Sequence, residues 1–255
     1  MRVDGRVERR GDATVDPQAR VTLGPPAPPP LPWGVRLVHE DDDVMVVDKP
    51  PGLLTIASER AAARTLYRAV TAHARATARR RRPPRVFVVH RLDRETSGLV
   101  VFARTPAVKE ALQTQFAARR VERVYVAVVE GRVGDEAGRL VSRLRDDTAG
   151  GRVRPGRGGR EAITRYRTLV RGRDCSLLEL TLETGRRGQI RAQLAELGHP
   201  ILGDRAYGSR RDPFGRVCLH ATRLVFRDAA GRPRRFESAP PAAFSVSPAG
   251  GRRLE

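Results

Sequence analysis

Two apolar runs, VFVV at 86–89 and LVVFA at 99–103, have the β-branched density of strands, and HRLDRETSG at 90–98 separates them. A turn between strands needs only Gly, Asn or Ser, so this density of charge asks for a chemical reason. Upstream, the apolar run Val44 to Val47 stops at Asp48, Lys49 and Pro-Pro-Gly, which predicts a strand followed by a functional or structural turn. Residues 61–82 carry Leu66, Ala69, Val70 and His73 near helical spacing and leave through RRRRPPR, predicting a helix with a basic exit. Thr105 and Pro106 form an N-cap and first-turn pair, and Val108, Leu112 and Phe116 then share one helix face. VERVYVAVVEG predicts a strand ending at Gly131.

Further along, RDDTAGGRVRPGRGGR at 145–160 is rich in Gly and Arg with no apolar run, which predicts a long mobile loop or a hairpin tip. AITRYRTLV and CSLLELTLE predict two strands, then come a turn at TGRRG and a helix QIRAQLAEL. Ile190, Leu194 and Leu197 lie on one face of that helix, and Gly198 ends it. Residues 1–24 alternate in short pieces, as small strands with a turn at Asp4 and Gly5 would. A proline-rich linker at 25–34 marks a domain boundary. Strands outnumber helices and the two interleave irregularly, so the expected class is α+β.

Composition narrows the partner more than the fold. Lys plus Arg number 49 against 29 acidic residues, a formal charge of +20. Nearly all of that charge is Arg, since Lys49 and Lys109 are the lysines, and part of the skew belongs to codon usage. The excess over acids still favours a polyanion: RNA, DNA or an anionic membrane surface. A chain 40% hydrophobic and 31% charged can bury one substantial core. Cys175 and Cys218 have no paired spacing, so neither a zinc site nor a disulfide framework is indicated. No apolar leader and no run of 18 apolar residues is present, so a cytoplasmic protein off the membrane is expected. No Walker or dinucleotide loop occurs, and a nucleotide cofactor is not implied.

Three features carry candidate chemistry. Asp93 sits between two strands, where loops on rigid elements often hold active groups, although an Asp that caps its own turn is the plainer reading. In TGRRGQIR, Arg186, Arg187 and Arg191 crowd the start of a helix, whose dipole opposes cations there. A phosphate or a buried carboxylate would offset that repulsion, unless the side chains simply reach into water. Tyr125 alternates with Val124 and Val126 in its strand, as a core tyrosine would.

Taken together, these stretches resemble a family. HRLDRETSG, preceded by VVDKPPGLLT and followed by RVYVAVVEG, TGRRGQIRAQLAELGHPILGDRAYG and LHATRLVF, is similar to the RluA-type pseudouridine synthases over residues 35–245. The resemblance implies a pseudouridine synthase fold, with a long mixed, mostly antiparallel central sheet flanked by helices and loops. It implies a cofactor-free, metal-free isomerisation of uridine in structured RNA, ribosomal RNA of the large subunit being favoured and transfer RNA the alternative. It places the catalytic aspartate at Asp93, the active-site tyrosine at Tyr125 and the arginine after the Gln-Ile pair at Arg191. A guanidinium at Arg191 is expected to hold Asp93 ionised through a bidentate contact and a lowered pKa. Arg91, Arg94, Thr96, Arg186, Arg187 and Ile190 are the expected substrate-binding residues, Arg91 helping to extrude the base. Tyr125 is expected to pack on the uracil, at the place of a base for the carbon 5 proton.

The chain departs from the family at Arg187 and Gly188, where a polar residue and His are usual, and at Arg227 and Asp228, where His-Pro is common. Residues 1–24 resemble only the trailing strands of the small α-L RNA-binding domain, a degenerate or truncated remnant, and 246–255 is a basic tail. A monomer is expected. Two rival readings stand beside the enzyme: a catalytically silent RNA-binding ribosome-assembly factor, and a glycoside hydrolase using Asp93 with Glu95. The second requires residues i and i+2 to share a face, which a turn at Thr96-Ser97-Gly98 disfavours.

Overall fold

A computed structural model describes residues 30–57, 64–78, 85–147 and 152–246, with scattered positions among the first 22. The opening pieces Arg2–Val3 (β1), Arg6–Val7 (β2) and Val21–Thr22 (β3) pair antiparallel as a small three-stranded sheet in the order β2-β1-β3. The turn expected at Asp4 and Gly5, the first half of the proline-rich linker, the Arg79 to Arg82 run and nearly all of the basic tail lie outside the described residues.

The strands from Arg36–Glu40 (β4) and Val44–Lys49 (β5) onward build one 11-stranded sheet. Helix α1, Leu66–Ala76, is followed by Phe87–Val88 (β6) and Ser97–Ala103 (β7). Helix α2, Pro106–Ala117, leads into Glu122–Glu130 (β8). Ala137–Asp147 (β9), Arg152–Pro155 (β10), Arg160–Arg171 (β11) and Cys175–Leu182 (β12) precede helix α3, Gln189–Glu196. Leu219–Arg227 (β13) and Pro233–Glu237 (β14) complete the sheet. Its order is β10-β9-β11-β12-β8-β13-β7-β5-β4, with β14 on β13 and β6 on β7. Among these pairs only β13 with β7 is parallel, so the sheet is mixed and mostly antiparallel, as the motifs implied.

Burial explains why the central strands read as unbroken apolar runs. Met45, Val47, Val100 and Phe102 enter the larger core with Leu66, Ala69 and Val70 of α1 and Ile190 and Leu194 of α3. Val44, Val46, Leu99 and Val101 enter the smaller one with Leu112 of α2. Strands covered on both faces have no polar side to alternate with. The helix caps follow the sequence: Thr65 Oγ1 accepts from the Arg68 amide at 3.2 Å, and Thr105 Oγ1 from Val108 at 3.2 Å.

The structure decides one open reading of the fold and corrects two others. Residues 145–160 take the hairpin alternative and not the long loop: β9 runs to Asp147, β10 pairs back along it, and β11 begins at Arg160, leaving 148–151 outside the described residues. Val153 supplies the missing apolar anchor, packing with Leu144, Ala162 and Ala192 beneath strands whose other face is arginine in water. Leu197 does not join its helix face in the core, because Gly198 at φ +86° ends the helix and leaves Leu197 exposed.

Ser97 and Gly98, expected in a turn, open strand β7 at its parallel junction with His220 and Ala221. Gly98 has φ +113°, and a Cβ there would run into the backbone of Ala221. Gly98→Ala should therefore cost on the order of 3 kcal/mol, from backbone strain plus a clash with atoms that cannot rotate away. Urea denaturation of the variant checks this.

Candidate active site

The two sequence stretches around Lys49 and Asp93 are halves of one structure. The Lys49 side chain is fully buried and its Nζ donates to the carbonyls of Pro50 at 3.0 Å, Leu53 at 2.8 Å and Arg94 at 3.1 Å. The Gly52 amide donates to the same Arg94 carbonyl at 2.8 Å. Thr55 Oγ1 donates to the Leu92 carbonyl at 2.8 Å and accepts from its amide at 3.2 Å. His90 Nε2 accepts from the Val101 amide at 3.1 Å while its ring stacks on Phe116, 4.7 Å between centroids. Burial, with Arg123 nearby, pushes His90 down to about 3, so it serves as a neutral acceptor that ties the loop to β7. These bonds leave Asp93 on a loop whose backbone is held from both sides.

Burial also pushes Lys49 down to about 7, although the charges of Glu95 and Asp93 act the other way. Lys49→Met removes the donor and leaves three carbonyls without it. The expected loss is on the order of 3 kcal/mol of stability by urea denaturation, with reduced activity because the Asp93 loop loses its floor.

A cavity of about 500 Å³ opens beside that loop, within the usual range for small-ligand pockets. Asp93, Tyr125, Ile190 and Arg191 all line it, so the three expected catalytic residues do converge. The expected bidentate contact is made elsewhere. Arg191 forks onto Asp204, Nε to Oδ2 at 2.6 Å and Nη2 to Oδ1 at 2.8 Å. Its remaining Nη1 reaches Glu95 Oε2 at 3.0 Å and stands 4.0 Å from Asp93 Oδ2. The guanidinium also lies over the Tyr207 ring, 4.9 Å from its centroid.

The direction of the Asp93 shift is a second correction. Burial raises its carboxyl, and Glu95 adds to this. Arg191, Arg91 and a hydrogen bond from the Gly188 amide oppose the rise without cancelling it. Gly188 is the N-cap of α3, so this amide brings the positive end of the helix to Asp93. Tyr125 is pushed up to about 12, mainly by burial, which speaks against a phenolate at neutral pH.

The helix-start repulsion is answered by carboxylates: Asp204, Glu95 and Asp93 around Arg191, and Asp146 at 2.7 Å from Arg187 Nη2. Arg91, Thr96, Arg186 and Arg187 line the cavity, with the three arginines exposed and Thr96 buried. Arg94 is not among the lining residues. Its Nε donates to the Gly52 carbonyl at 3.1 Å, so its side chain braces the neighbouring loop. Asp93 and Glu95 reach a common partner in Arg191, but Glu95 does not line the cavity.

Sequence reasoning missed Asp204, whose side chain is 1% exposed, and Arg123, which lines the cavity from β8. A buried-carboxylate signal existed in ILGDRAYG, an acid directly after an apolar run. For Arg123 the signal was its place two residues before Tyr125, hence on the same strand face.

A family model described as RNA pseudouridylate synthase matches residues 43–196. The chain is 37% identical over 228 residues to a ribosomal large subunit pseudouridine synthase D of Neisseria meningitidis serogroup A, covering 82% of this chain and 60% of the relative. It thus spans less than two thirds of that relative's length. It is also 37% identical over 262 residues to a protein of the same name from Xanthomonas campestris pv. campestris, covering 94% of this chain and 77% of the relative. Among solved structures, human RNA Pseudouridylate Synthase Domain Containing 1 shares the fold with a TM-score of 0.70 at 23% identity, covering 91% of this chain and 94% of that one.

Proposed function

The chain belongs to the RNA pseudouridylate synthase family, and from that membership we propose that it isomerises uridine to pseudouridine in structured RNA, large-subunit ribosomal RNA being the substrate. The relatives' printed names favour the ribosomal substrate. The protein acts as a monomer in the cytoplasm; among the described residues no helix is long and apolar enough to cross a membrane. The observation that carries the reading is the Asp93 carboxylate in a walled cavity, beside a guanidinium that other carboxylates fix in place.

The reaction breaks the bond between C1′ and N1, turns the uracil and rejoins it through C5. It needs a carboxylate at the sugar and walls that keep the freed base in register. Asp93 supplies the carboxylate, acting on the ribose in its ionised form. Arg191 positions it from 4.0 Å, itself held by the Asp204 fork. Tyr125 and Ile190 pack against the uracil, Tyr125 as a neutral phenol. A stacked uridine must first be everted, and the exposed Arg91, Arg186 and Arg187 at the cavity hold the flanking phosphates.

The test is to incubate the protein with total RNA from a strain lacking it and map new pseudouridines. New sites in large-subunit ribosomal RNA are expected. Sites confined to transfer RNA would replace the substrate, and no new site would leave a silent RNA-binding factor.

A further inference from the structure

Among the described residues Arg123 is a buried cation without a counter-ion. Its residue is 9% exposed, and among the described residues no carboxylate pairs with it. One hydrogen bond is present, from Nη2 to the Leu182 carbonyl at a long 3.4 Å. The Nε is buried with no partner. The guanidinium sits 5.6 Å from the Phe116 ring centroid, and it lies so close to Gly185 that a Cβ there would strike Nη1. Such a group costs stability unless something repays it, since a buried charge is normally paired. Arg191 in the same cavity is surrounded by three carboxylates, so the contrast lies within one site.

Position says which anion is missing. Arg123 and Tyr125 are two apart on β8, share a strand face and both line the cavity, deeper than the exposed Arg91, Arg119, Arg186 and Arg187. A phosphate, strongly hydrated, suits those exposed cations. The deep site suits a charge that exists only during reaction. When the C1′–N1 bond breaks, its electron pair stays with the ring and spreads over N1, O2 and O4, making a uracil anion. This holds whether Asp93 attacks C1′ or first takes a sugar proton. After rotation, C5 gives a pair to C1′ as the Asp93–C1′ bond breaks, or, on the other route, as C2′ takes its proton back from Asp93; C5 then loses its proton to water, which restores a neutral base.

We propose that Arg123 stabilises the uracil anion released within the cavity, a role in the isomerisation that rests on the function proposed above. A preorganised cation aimed at charge that develops only in the transition state lowers the barrier without tightening substrate binding. The unpaired state of the free protein follows, because a permanent counter-ion would cancel the effect.

The experiment compares single-turnover rates on large-subunit ribosomal RNA transcribed with uridine or with 5-fluorouridine, read as loss of the N1-linked nucleoside after nuclease digestion. Fluorine withdraws electrons and makes the base a better leaving group, so it needs the cation less. Arg123→Met should slow the uridine RNA by about 100-fold and the 5-fluorouridine RNA by roughly tenfold less than that. RNA affinity should stay within about twofold, and the melting temperature should not fall, because Met replaces an unpaired charge at similar volume. If Met prevents folding, Arg123→Gln carries the same comparison. Equal slowing of both RNAs, or weaker binding with an unchanged rate, overturns the proposal while the isomerase reading stands. If the unaltered protein converts neither RNA, both fall together.

Discussion

Asp93→Asn is expected to lower isomerisation by a factor on the order of 10⁴ or more, because the amide can neither attack the sugar nor take a proton from it. The same change should leave the melting temperature unchanged or raised. Burial lifts the Asp93 carboxyl above its ordinary value, so the fold favours the protonated group over the ionised one. A carboxyl raised in the folded state contributes stability below its unfolded pKa and loses it as pH rises through the folded value. At neutral pH the ionised carboxylate is therefore a cost, which a neutral amide of the same shape removes. Activity has the opposite dependence. It should rise with pH through the raised Asp93 value, since the ionised form reacts. Thermal denaturation beside a single-turnover pH profile checks both signs. A variant that loses activity by unfolding would contradict this account of Asp93.

Asp204 carries the second large effect. Its carboxylate, almost wholly buried, receives two hydrogen bonds from Arg191, and removing it strands a buried guanidinium. Asp204→Ala should cost about 3–5 kcal/mol, the usual loss when one member of a buried pair is deleted. Asp204→Asn is the more informative change, because it keeps the shape and removes the charge. Arg191 then has less negative charge to share and acts more strongly on Asp93, so the acid limb of the pH profile should move to lower pH. The rate at the plateau should fall about 100-fold as the guanidinium loses its orientation. A purely structural Asp204 would reduce the amount of folded protein and leave the limb where it is.

Strongly periodic or capped elements were legible from the residues alone. Thr105 and Pro106 started their helix, VERVYVAVVEG ended its strand before Gly131, and the site's main residues lay in contiguous motifs. What was not legible depends on partners distant in sequence. The Arg191 fork reaches Asp204, 13 residues on and beyond the end of its helix, and no local pattern announces which of several acids an arginine will choose. Arg94 shared a motif with Asp93, yet its side chain is spent on the Gly52 carbonyl. The Arg- and Gly-rich stretch at 145–160 hid β10 because one buried valine, Val153, is enough to anchor a strand whose exposed face is charged. The sign of the Asp93 shift could not be read either. It is decided by burial against nearby charge, and burial is a property of the fold.

The most direct test of the central claim is tritium release from large-subunit ribosomal RNA labelled at uridine C5. Joining C5 to the sugar expels the label, whereas binding alone does not. Release by the unaltered protein to a plateau fixed by the number of modified sites is expected, and none by Asp93→Asn at the same concentration. No release by the unaltered protein, or equal release by both, would contradict it.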